Sequence, residues 1–79
     1  MTSSKKSSAK LFQEHLKRIK EETGLSEAKL SEKCNLSRTY YGMLMRGDRD
    51  PSFEILDRIC EGFELKPSEL FTEDFEQNF

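Results

Sequence analysis

The sequence predicts an all-α domain of five short helices, and three observations carry that reading. Apolar residues recur at helical spacing through most of the chain. Leu-Ser pairs stand directly ahead of two of those stretches, where a capped helix start belongs. No stretch alternates polar and apolar residues over the length of a strand. The domain is expected over residues 10–71, between a flexible basic tail over 1–9 and an acidic C-terminal tail over 72–79.

The first helix begins at Lys10. Phe12, Leu16 and Ile19 form its apolar stripe, Lys17, Arg18, Lys20 and Glu21 fill the other face, and Gly24 supplies the left-handed stop. His15 borders the stripe and reads as a partly buried structural histidine. Ser26 caps the second helix, with Leu25 stapled onto Leu30. Asn35 follows Cys34 and tolerates the left-handed conformation, so it can turn the chain sharply. Leu36-Ser37 repeats the device for a third helix, with Ser37 as cap and Leu36 stapled onto Tyr41, and Gly47-Asp48 closes it. Ser52 caps a fourth helix whose apolar face is Phe53, Leu56, Ile59, Cys60 and Phe63. Pro67 fits the opening turn of a fifth, Ser68 to Phe71.

Composition narrows the function classes. Seventy-nine residues, 34% of them hydrophobic, make one domain with a small core. No run approaches the ~18 apolar residues of a membrane span, and the polar N-terminus does not read as a signal peptide, so a cytoplasmic protein is expected. Cys34 and Cys60 suit small core residues in a reducing compartment. With one His and two separated Cys there is no metal-ligand spacing, no cofactor motif, no phosphate loop and no catalytic constellation, so an enzyme is not expected. The net charge of −2 hides an asymmetry: residues 1–49 hold eleven Lys/Arg against six Asp/Glu, and residues 50–79 hold two against nine. A basic working face and an acidic far end follow from that split.

Two short helices joined by a tight turn between Glu27 and Leu44 have the geometry of a helix-turn-helix, whose second helix enters the DNA major groove. The packing requirements are met position by position. Leu30 and Cys34 face the core, Ser31 is small where the third helix crosses, Asn35 allows the turn, and Leu36, Tyr41 and Leu44 anchor the second helix of the pair.

The stretches from Leu25 to Leu30 and from Leu36 to Tyr41, then Arg46-Gly47, Arg49-Asp50-Pro51-Ser52 and the closing Leu65 to Phe71, resemble the Cro/cI (Xre) family of phage-repressor-like regulators. The opening Ser37-Arg38-Thr39-Tyr40 and the chain length also resemble the controller proteins of restriction–modification systems. The resemblance implies a compact, five-helix, lambda-repressor-like domain that works as a homodimer on a palindromic operator in double-stranded DNA. It places Arg38, Thr39 and Met43 at base edges: Arg38 can fork onto a guanine, and Thr39 and Met43 can meet thymine methyls. It places Ser26, Ser37, Tyr40, Arg46 and Arg49 near phosphates, with Lys29 and Lys33 as further cations.

Four residues depart from the family pattern. Glu27 stands where Gln is common and Asp50 where Asn is frequent, each expected to repel phosphate. Met45 stands where Glu is common, and Gly42 lies inside the third helix, at a cost of about 1 kcal/mol relative to Ala. The C-terminal end is rich in large apolar groups, and a dimer interface is expected there at Leu65, Leu70 and Phe71, or a surface for another protein. Two other uses fit the same residues: an interaction module with reduced DNA affinity, and the antitoxin of a toxin–antitoxin pair.

Overall fold

Serine side chains and left-handed residues delimit the helices. The computed structural model describes residues 7–71 and orders them as α1 (Ser8–Thr23), α2 (Glu27–Lys33), α3 (Tyr40–Arg46), α4 (Phe53–Phe63) and a 3-10 turn at Pro67–Phe71. No strand occurs among the described residues, and none of their helices is long and apolar enough to cross a membrane. Ser26 and Ser52 accept the backbone N–H of Lys29 and Ile55 at 3.1 and 3.2 Å. Gly24, Asn35 and Gly47 turn the chain with φ of 71°, 59° and 84°.

Three boundaries differ from expectation. Ser7 accepts the Lys10 N–H at 3.2 Å, so α1 starts at Ser8 and takes in two residues expected in the tail. The remaining tail residues, 1–6 and 72–79 with Phe75 and Phe79, lie outside the described residues. The fifth helix is a 3-10 turn: Glu69 N donates to Lys66 O at 2.9 Å, and the Glu69 carboxylate takes the Lys66 N–H at 2.6 Å. Five residues tightened onto i→i+3 bonds do not extend into an α-helix.

The third difference matters most. Ser37 was expected to cap α3, but its carbonyl accepts from Tyr40 N at 3.0 Å and the helix starts later. Thr39 takes the N-cap position without a side-chain cap bond. The cap comes instead from another helix. Ser31, fully buried in α2, accepts the Tyr41 N–H on its hydroxyl at 3.0 Å.

The core draws Phe12 and Leu16 from α1, Leu30 and Cys34 from α2 and its end, and Leu36, Tyr41, Leu44 and Met45 from the turn and α3. Ile55, Ile59 and Cys60 of α4 and Leu70 of the 3-10 turn complete it, and His15 is buried beside them. The apolar face expected for α4 was misplaced at its start. Phe53 is 87% exposed and Ile55 is buried in its stead. Ile55 stands one turn before Ile59, whereas Phe53 is the first residue of the helix and projects beyond the core layer. Gly62 marks where α4 meets the end of α2: a Cβ there would lie 2.8 Å from the Lys33 carbonyl oxygen and 3.1 Å from the Cys34 Sγ.

Two outcomes follow. Ser31→Ala leaves the buried Tyr41 N–H without an acceptor and is expected to cost about 1–3 kcal/mol in urea unfolding. Ser26→Ala, at an exposed cap, is expected to cost about 1 kcal/mol or less. The second outcome concerns pH. Both cysteines are free and buried, and burial pushes the Cys34 thiol from 9.0 up to about 11 and raises Cys60 as well. Between those values the unfolded chain gives up protons that the folded chain keeps, so stability falls as pH rises. The urea midpoint is expected to drop between pH 8 and 10.5, and Cys34→Ala to flatten that drop.

Candidate nucleic-acid interface

The turn between α2 and α3 is fixed by local and tertiary bonds together. With Asn35 left-handed, Leu36 N reaches back to Ser31 O at 2.8 Å, closing the end of α2. Arg58 of α4 donates to the Asn35 carbonyl at 3.1 Å while its other Nη holds Glu54 at 2.8 Å. Sequence reasoning missed Arg58. Its signal was compositional, since it is one of only two cations in residues 50–79.

α3 is seated from behind. The Tyr41 hydroxyl donates to Leu16 O at 2.7 Å, Phe63 packs edge-on against the Tyr41 ring at 6.3 Å, and Leu44 and Met45 are buried. The opposite side presents the expected base-reading residues: Arg38 and Thr39 are exposed and Met43 is half-buried. Thr39, Met43 and Arg46 stand at i, i+4 and i+7, so they share one helical face. Arg38 lies in the turn ahead of the helix instead of at its first position, because α3 starts at Tyr40. An open groove of about 570 Å³ runs beside it, lined by Lys29, Asn35 and Leu36 among others.

The residues expected near phosphate have different surroundings. Ser26 and Ser37 are exposed at the ends of the helix pair facing the turns. Tyr40 is half-buried with the Arg49 guanidinium 5.8 Å from its ring centre, a cation–π arrangement that holds a charge beside α3. Lys29 sits 3.9 Å from Glu32, and Lys33 and Asp50 are exposed.

Arg46 differs from these. Its Nη1 lies 3.3 and 3.4 Å from the two oxygens of Glu27, and its Nε is 3.7 Å from Asp48. The Glu27 carboxylate therefore lies across α3 against a guanidinium. It passes over Gly42, where any Cβ would collide with it. Glu27 and Gly42, two separate departures in the sequence, are one arrangement in space.

The residues expected at a dimer interface are drawn largely into the monomer. Leu70 is fully buried in the chain's own core, which removes it from any partner surface. Phe71 stacks on Phe12 with ring centres 5.9 Å apart, and it and Leu65 are half-buried against the core.

Residues 16–70 match the protein family described as Helix-turn-helix. The chain is 36% identical over 63 residues to Control protein C.MunI of Mycoplasma sp, an overlap of 78% of this chain and 85% of that protein. It is 30% identical over 61 residues to Control protein C.BamHI of Bacillus amyloliquefaciens, covering 76% of this chain and 75% of the relative.

The left-handed turn makes its own forecast. Asn35→Ala is expected to lower stability by about 1 kcal/mol, because alanine lacks the short polar side chain that eases this conformation. Asn35→Gly is expected to leave the thermal midpoint unchanged or raise it.

Proposed function

The chain belongs to the helix-turn-helix family of Cro/cI-type regulators, and from that premise we propose that it is a sequence-specific transcriptional regulator that binds a palindromic DNA operator as a homodimer. The observation that carries the proposal is the two-sidedness of α3. Tyr41, Leu44 and Met45 fix one side in the core, while Thr39 is exposed and Met43 half-buried on the other, with Arg38 exposed in the turn ahead of them. Nothing in the fold needs an exposed arginine ahead of α3, whereas a major-groove reader needs a planar fork there. Arg49, Ser26, Ser37 and Tyr40 would then meet phosphates and fix the register.

The similarity to two proteins named control proteins favours one role within the family, a cytoplasmic controller of restriction–modification genes that acts on transcription and carries no catalysis. The dimer would use the α4 end of the molecule, with Leu65 and Phe71 near its centre. Glu27 and Asp50 are the signs of a module with reduced DNA affinity; the Glu27 carboxylate has the Arg46 guanidinium beside it, and Asp50 is exposed.

Selection of duplexes from a random pool tests the reading. One palindromic sequence is expected to be enriched. On it Arg38→Ala is expected to cost about 1–3 kcal/mol and relax preference at a single base pair in each half-site. Arg49→Ala, which removes one phosphate contact from each protomer of the dimer, is expected to weaken all sequences alike and flatten the salt dependence by about 1.8 in log–log slope. An unenriched pool, or an Arg38→Ala variant with unchanged preference, contradicts it.

A further inference from the structure

We propose that Glu27 and Arg46 form a charge latch that withholds the Arg46 guanidinium from the DNA backbone; the inference rests on the DNA-binding reading above. Arg46 shares a helical face with Thr39 and Met43, and its side chain is half exposed, so position alone would make it a phosphate ligand. Its donors are already directed elsewhere. One nitrogen lies between both oxygens of Glu27 at 3.3 and 3.4 Å, and another faces Asp48 at 3.7 Å. Two carboxylates on one guanidinium leave that corner of the surface with a net negative charge.

Exposed ion pairs are weak and exchange partners readily. What keeps this one closed against DNA is the state that opening would leave behind. If Arg46 turned to a phosphate, the Glu27 carboxylate would stand without its cation beside a polyanion. The latch is also shaped by the backbone. Gly42 lies beneath the pair, and the nearest atoms to an added Cβ are the ends of the Glu27 and Arg46 side chains. A displaced Glu27 has somewhere to go: it borders a recess of about 360 Å³ lined also by Lys17, Lys20, Glu21 and Met45, where two lysines outnumber the one carboxylate. A methyl group at position 42 therefore opens the latch, keeps every charge in the molecule and leaves both helices in place. The consequence is a surface that makes fewer phosphate contacts than its cations allow, so that base contacts carry a larger share of binding.

The test counts phosphate contacts by the salt dependence of binding to a fluorescein-labelled 20-bp duplex of random sequence, followed by anisotropy between 50 and 200 mM KCl. Gly42→Ala is expected to steepen the log–log slope by about 1.8 for the bound dimer, the increment of one further phosphate per protomer. That is about 12-fold more affinity lost over this range. In an Arg46→Gln background, Gly42→Ala is expected to leave the slope where Arg46→Gln alone puts it. Glu27→Gln is the less informative variant, because losing a negative charge steepens the slope by itself. The latch is overturned if Gly42→Ala steepens the slope as much in the Arg46→Gln background as in the wild type, since the gained contact would then not belong to Arg46. It is overturned equally if Gly42→Ala leaves the slope unchanged while circular dichroism shows intact helices. Should no variant bind the duplex even at the lowest salt, the DNA-binding reading itself fails and takes the latch with it, an outcome distinct from a latch failure, in which the wild type binds.

Discussion

The hydroxyl of Ser31 holds the N–H of Tyr41 inside the protein, and the placement of α3 depends on that bond. A helix N-terminus leaves several N–H groups without intrahelical partners. At α3 no side chain of the preceding turn takes them up. One is supplied from α2, so the first helix of the pair caps the second. The same serine accepts Leu36 N–H on its carbonyl, which ties the turn to the same residue. Tyr41 then carries the restraint into α1 through its own hydroxyl at Leu16. Position 31 is fully buried and leaves no room for a large side chain, and its serine adds an acceptor where packing alone asks only for something small.

Seen from the front, the surface is governed by how its charges are matched. The basic half of the chain holds a surplus of five positive charges, yet its cations differ in how free they are. Arg38 is exposed, Arg49 lies against the Tyr40 ring, and Arg46 is enclosed by two carboxylates. Arg58, from the acidic half, serves the turn by holding the Asn35 carbonyl. A net charge or a count of arginines would treat these four alike. Their surroundings set them apart: one exposed, one against a ring, one between carboxylates, one on a backbone carbonyl.

Much of this was legible in the sequence wherever one residue acts on its near neighbours. The caps at Ser26 and Ser52 and the left-handed stops at Gly24, Asn35 and Gly47 operate within about a turn of helix, so local chemistry decides them. The anchoring residues Leu30, Leu36, Tyr41 and Leu44 were also readable, because helical periodicity selects a face. What escaped depends on the placement of distant segments. Ser37 looked like a cap as good as Ser26, and only the approach of α2 made it redundant. Phe53 looked like a core residue and Leu70 like an interface residue, because periodicity does not show where a helix runs past the core. Glu27 read as a repulsive charge because its partner lies 19 positions away across a glycine.

The central claim is that α3 is pinned at its start by a buried bond from α2. Native-state hydrogen exchange at the Tyr41 amide measures that directly. The account predicts exchange only through global unfolding, with a protection free energy matching that from urea denaturation and exceeding that of Met43, which donates to Thr39 O at the exposed front. A Tyr41 amide that exchanges through local fraying, as fast as the rest of the first turn of α3, would contradict it.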